Sequence, residues 1–166
     1  PAVIGVDIFR DYPIPANDSQ NESKLTKYWQ QPNVVSICLG DNLNNSVAPP
    51  PDSPPEQVGF DNIYDDLRVT NGGDDNVRRY LLSRSDNPLA TTSHCKTNYS
   101  FALQLVAGYF QSHNIPATSV NQDWQFGSKI ITRLVNGSAG YQKFDDRGNQ
   151  LLISYRRTSQ LAQQVT

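Results

Sequence analysis

The sequence predicts an α/β fold, built as a mixed, partly parallel sheet with flanking helices and a long Pro-rich loop. Three observations predict it. Two apolar runs, 2–9 and 34–39, are too continuous for half-exposed strands and suit buried parallel ones. A stretch with helical patterning lies between them, which makes a strand–helix–strand unit. Residues 98–113 then repeat apolar side chains with a period near 3.6, the pattern of an amphipathic helix.

Along the chain, the first run places Asp7 among Val3, Ile4, Val6, Ile8 and Phe9, and a polar loop with Pro13 and Pro15 follows. Ser19 and Glu22 form a capping-box pattern, Leu25, Tyr28 and Trp29 supply an apolar stripe, and Pro32 stops the helix. After the run 34–39, residues 41–56 are rich in Asn and Pro and cannot build a core. They predict a long loop, partly polyproline II, inside one domain, because neither flank is long enough to stand alone. A strand-like segment 58–63 leads into an acidic stretch. The turn signal at 71–76 and the run 77–82 predict a hairpin over 67–82.

The strongest helix, 98–113, carries Tyr99, Ala102, Leu103, Val106, Ala107 and Phe110 on one face. Thr97 or Asn98 is placed to cap its start, and Asn114 with Pro116 to end it. Residues 124–134 read as one strand, and Asn136–Gly137 as a hairpin turn. Strands at 141–144 and 150–155 flank a further turn at 145–148, and 157–166 form a polar, Gln-rich tail.

Composition narrows the function classes. A net charge of −2 leaves no electrostatic footprint for nucleic acid and no polybasic membrane patch. No stretch approaches the ~18 apolar residues of a membrane span. The chain starts at Pro1 and contains no Met, which predicts a piece of a longer protein. Cys38 and Cys95 are open to three readings: a bridge, two buried thiols or a reactive pair. Composition by itself favours unpaired thiols.

No nucleotide-binding or nucleophile motif is present, and neither His94 nor His113 has metal-ligand spacing. Residues 145–149 lack the alternating oxygen ligands of a calcium loop and read as a β-turn. No cofactor or metal is predicted. Carboxylates are the remaining chemistry: Asp7 within the first run, Asp11 after it, and Asp61, Asp65, Asp66, Asp74 and Asp75 further on. A buried aspartate requires a partner, and Arg10, Arg78 and Arg79 are the candidates. The alternatives are a carboxylate–arginine site for a small polar ligand and a buried ion pair that fixes the sheet.

The order of four blocks adds a resemblance. Val3-Ile-Gly-Val-Asp-Ile-Phe-Arg-Asp11 is similar to the strand-plus-acid signature of CHASE2 domains, as is Gln57-Val-Gly-Phe-Asp-Asn-Ile63 followed by Val77-Arg-Arg79. Cys95 ahead of Tyr99-Ser-Phe-Ala-Leu103 resembles the start of the family's main helix. Gly140-Tyr-Gln142 with Gly148-Asn-Gln-Leu-Leu-Ile-Ser-Tyr-Arg156 resembles its closing strand, although Asn149 stands where an aromatic is commoner.

The resemblance implies a single sensory domain over 1–156, with 157–166 leading towards an absent transmembrane region. It implies an extracellular or periplasmic module of a bacterial, often cyanobacterial, membrane receptor. The output domain would be a histidine kinase, an adenylate or guanylate cyclase, or a Ser/Thr kinase. It implies no catalysis in this chain and no nucleic-acid partner. The stimulus would be an unidentified small molecule or protein, with Asp7, Arg10, Asp11, Asp61, Arg78 and Arg79 as candidate ligand residues. The family's usual N-terminal strand–helix segment would lie upstream of Pro1, leaving an exposed sheet edge through which two copies can associate. An oxidising compartment shifts the cysteines towards a Cys38–Cys95 disulfide. Two alternatives stand beside the sensor: a structural dimerisation module, and a carboxylate hydrolase using Asp7, Asp11 and Asp61.

Overall fold

The computed structural model of the chain describes residues 1–12, 19–40, 45–62, 77–84, 93–142, 144, 146 and 148–155. The helix side chains of residues 19–23 are not among them, so the Ser19–Glu22 capping box lies outside the described residues. The same holds for most of the acidic stretch, for Asp145, and for the tail.

The amino-terminal part is the expected βαβ unit. Strand β1 (Ile4–Val6) and strand β2 (Val34–Cys38) run parallel, joined by helix α1 (Ser19–Trp29). A 3-10 turn (Pro55–Gln57) then leads into β3 (Val58–Phe60), also parallel to β2, giving the order β1-β2-β3. β2 is central and every residue in it is buried, which explains its unbroken apolar sequence. β1 corrects the expectation of a buried strand over 2–9. Only three residues pair, and Ile8 and Phe9 are 65% and 45% exposed. Among the described strands β1 has a ladder on one side only, so its apolar composition records a sheet margin.

Beyond β3 the sheet continues through two residues of another segment. Ser100 bridges Phe60 in parallel, and Tyr99 bridges Ser83 of strand β4 (Arg79–Ser83) in antiparallel fashion. Phe60 N donates to Tyr99 O at 2.9 Å and Ser100 N to Leu82 O at 2.8 Å. β4 in turn pairs antiparallel with β8 (Asn149–Leu152), with a register shift between Leu81 and Ser83. The first arm and turn of the hairpin expected over 67–82 lie outside the described residues. Its second arm is β4, whose described ladder partner comes from the far end of the chain.

Helix α2 (Phe101–Ser112) starts directly from this bridge. Its cap is Ser100, whose Oγ accepts from Leu103 N at 3.1 Å, and not Thr97 or Asn98. Thr97 Oγ1 instead accepts from Tyr99 N, which organises the approach to the helix. Asn114 takes φ 60° just past the helix, the left-handed closure expected of it. α2 buries two faces. Phe101 and Leu105 lie over Gly5 of the parallel sheet, and Gln104 Nε2 donates to Val58 O. Leu103, Ala107 and Phe110 pack on the other side against Leu82, Trp124 and Phe126. The apolar stripe expected as one core face therefore splits: Leu103 is buried while Tyr99 and Val106 are exposed.

The second packing surface is a three-stranded antiparallel sheet of β5 (Ala117–Val120), β6 (Asp123–Phe126) and β7 (Lys129–Ile131). It replaces the single strand expected over 124–134. Two tight turns divide it: Asn121 and Gln122 both have positive φ, as a type I′ turn requires, and Gly127 opens the other. Residues 141, 142 and 144 are not in a strand. Phe144 is held instead by the Asn136 side chain, whose Oδ1 accepts from Phe144 N and whose Nδ2 donates to Phe144 O. Asn136 thus supplies both bonds a neighbouring strand would have made, and its expected hairpin turn with Gly137 has no flanking strands.

Cys38 and Cys95 form a disulfide with Cα atoms 5.4 Å apart, and both are fully buried with Val58, Phe60 and Leu81. The Pro-rich loop contributes to this side of the sheet. Pro50 is among the fully buried residues, and Ser36 Oγ donates to Ser53 Oγ. The loop was expected to have no core role. Its backbone packs because proline carries no N–H that burial would leave unpaired.

Two expectations follow. Replacing both cysteines by Ala releases a span of 57 residues in the unfolded chain and should cost about 4 kcal/mol in urea unfolding. Gly59→Ala should lose about 1–3 kcal/mol, since the added Cβ would lie 2.9 Å from the Ser100 carbonyl carbon and closer still to the Phe101 backbone. An unchanged midpoint in either variant contradicts the packing described.

Candidate functional site

The carboxyl ends of the parallel strands gather polar groups, as the α/β topology dictates. Asp7 follows β1, Gly40 follows β2, and Asp61 and Asn62 follow β3. Asn62 closes the gap between two strand ends: its Oδ1 accepts from Gly40 N at 3.0 Å and its Nδ2 donates to Gly40 O at 2.8 Å. Arg84, past the end of β4, donates through Nη2 to the same Oδ1 at 2.9 Å, and its guanidinium carbon lies 4.3 Å from the centre of the Phe60 ring. Gly40 leaves room for this guanidinium: an added Cβ would lie 2.8 Å from Arg84 Nη1 and displace it.

Asp61 is half-buried, and burial raises its carboxyl above the ordinary value of 3.8, with the Asp7 charge adding to the rise. Tyr80 lies within reach of both. Burial raises its phenol, hydrogen bonds to the Ser100 side chain and the Ala102 backbone oppose that rise, and the charges of Asp61 and Asp7 reinforce it.

Of the six candidate ligand residues, Asp7 and Asp61 are near enough for the Asp7 charge to act on the Asp61 carboxyl. Asp7 is exposed just beyond β1, so it does not need the buried arginine partner anticipated for it. Arg79 is buried on another side of β4. It donates to Gln150 Oε1 at 2.6 Å and stacks over Tyr141 and Phe144 at 5.1 and 5.0 Å. Arg78 and Asp11 are exposed, and Arg10 is half-buried. Sequence reasoning missed Asn62, Tyr80 and Arg84. The available signal was positional: each stands at or beside the end of an apolar run, where the strand topology concentrates side chains.

The opposite end of the parallel sheet holds a cleft of about 700 Å³. It opens between residues ahead of β1, β2 and β3, such as Val3, Asn33 and Gln57, and the face of α2 that runs from Gln104 to Gln111. Nothing in the sequence pointed to it, because its lining comes from four separate segments. Among the described residues, no group of three His, Cys, Asp or Glu side chains could hold a metal ion. No described helix is long and apolar enough to cross a membrane.

The raised Asp61 carboxyl has a pH consequence. A folded-state pKa above the unfolded value means the fold holds the proton more tightly, so stability falls as pH rises from 3.8 through the raised value. Asp61→Asn should therefore raise Tm at pH 7, and the gain should fade as pH drops below the carboxylate range. A constant gain across that range would locate the effect elsewhere.

A family model described as the CHASE2 domain matches residues 1–166, the whole chain. Searches of curated proteins and of solved structures returned no match. The polar rim at the strand ends and the cleft beneath them accompany that whole-chain match, and the chain belongs to the CHASE2 family of extracellular, non-catalytic sensory domains of membrane receptors.

Proposed function

We propose that this chain is the ligand-binding input domain of a bacterial transmembrane signal-transduction receptor. The observation that carries the reading is the family match across the entire chain. The buried Cys38–Cys95 disulfide supports it, since such bridges persist on the oxidising side of a membrane. On this reading the domain meets its stimulus outside the cell and biases an intracellular kinase or cyclase. The strand-end rim, with Asp7 and Asp61 at its centre and Arg10 and Asp11 following the end of β1, offers one place for recognition.

The test uses the intact gene product in cells. Externally added protease should reach the domain, and deleting residues 1–155 should uncouple the output activity from the extracellular medium. A protein without a membrane anchor, or an output indifferent to the deletion, overturns the reading.

A second reading, a structural dimerisation module, is favoured by β1. This strand lies at the margin of the described sheet, and Ile4, Ile8, Phe9 and Tyr12 are exposed along it and just beyond. Light scattering should then show a dimer that Phe9→Asp dissociates. A strict monomer at high concentration removes this reading.

A further inference from the structure

We infer that the cleft at the amino ends of β1, β2 and β3 binds a small neutral polyhydroxy compound, a saccharide or polyol; the inference rests on the sensory reading for its meaning. The cleft's size, about 700 Å³, falls within the range of small-molecule sites. Its chemistry is set by side-chain amides whose nitrogens are anchored on backbone carbonyls. Gln57 Nε2 donates to both Gln31 O and Val34 O, Gln104 Nε2 donates to Val58 O, and Asn33 Nδ2 donates to Pro1 O. Exchanging N and O in any of them would press an amide oxygen against a backbone carbonyl, so the orientations are fixed.

The amide oxygens of Asn33, Gln57 and Gln104 have no hydrogen-bond partner among the described residues. None of them is a buried unsatisfied atom, so all three are open to solvent. Three anchored acceptors therefore stand around one cleft, and hydroxyl groups can donate to each. Gln30 and Gln111 also line it, and their side chains make no hydrogen bond among the described residues. Their NH2 groups can donate to the oxygens of the same ligand. Val3, Val35 and Ala107 supply aliphatic surface for its C–H faces.

Charge decides between ligand classes. Among the described residues no Lys or Arg lines the cleft, so phosphates and carboxylates would lose hydration without a counter-charge. Among the described residues the single lining carboxylate is Glu56, which is exposed, and solvent screens its pull on a cation. Five neutral amides against one screened acid favour an uncharged ligand rich in donors.

The experiment is an NMR titration of the 15N-labelled chain with sorbitol, glucose and maltose, beside spermidine and inorganic phosphate. The expected result is saturable shifts at Asn33, Gln57, Gln104 and Gly108 with at least one neutral compound, at a Kd of about a millimolar or tighter. Gln111→Leu, at an exposed position with no intramolecular side-chain bond, should weaken that binding about fivefold to tenfold without lowering Tm. Gln104→Leu should weaken it similarly and also lower Tm. Silence from all three neutral compounds, tighter binding of spermidine or phosphate, shifts confined to the Asp7–Asp61 rim, or an unaffected Gln111→Leu overturns the inference. The two readings fail separately. Domain deletion that uncouples the receptor while the cleft ignores polyols sinks the cleft alone; polyol binding with an output indifferent to deletion sinks the sensory reading alone.

Discussion

The seating of Tyr99 and Ser100 between β3 and β4 is the constraint from which the rest of the structure follows. Two residues replace a whole strand there, and their backbone bonds to Phe60 and Leu82 join the parallel sheet to the antiparallel pair. That insertion leaves no room above β3 for a side chain, because the chain turns at once into α2. Gly59 meets the requirement by having no Cβ. Ser100 meets another: it is fully buried at a helix start, where an uncapped N–H would be costly, and its hydroxyl caps the helix from within the sheet.

Once α2 is fixed at this point, both ends of the domain acquire their character. The helix start stands beside Asp61 and Tyr80 at the carboxyl end of the strands. The helix end overhangs the amino end and roofs the amide-lined cleft. The disulfide adds a covalent tie a few residues upstream of the bridge, holding it against β2 on the face away from α2. The polar networks at the two ends share a device: Asn62 spans strand ends above, as Gln57 and Gln104 do below, each satisfying backbone groups where regular pairing stops.

The sequence showed what local pattern determines. The run at Val34–Cys38 and the helix at Phe101–Ser112 have strong periodicity and appear where expected. The strand at Ile4–Val6 was legible as a strand but not as a margin, because apolar composition cannot tell a buried face from one awaiting a neighbour. The sheet of β5 to β7 was half hidden: Ala117, Thr118 and Ser119 carry no apolar alternation, and Asn121-Gln122 is a weak turn signal despite its two positive φ angles. The disulfide was reached through the family resemblance, since spacing left it open. Asp7 and Asp61 were legible as strand-end acids, whereas Arg79 looked the same in sequence and turned inward. The cleft was invisible, because its glutamines are ordinary polar residues until the fold sets their amide nitrogens against carbonyls.

The Cys38–Cys95 bridge also shapes how the domain carries load. Residues 39–94 lie inside the covalent loop, so tension applied at the two ends of the chain passes from Cys38 directly to Cys95 and bypasses them. Extended, those residues would span roughly 190 Å. That length stays locked away under strain while the bond is intact. β3 and the described part of β4 sit within the shielded loop, and β1, β2, α2 and β8 lie on the loaded path. A module held between a membrane and its surroundings is thereby divided mechanically. One part can transmit a pull, and β3 and β4 are spared it.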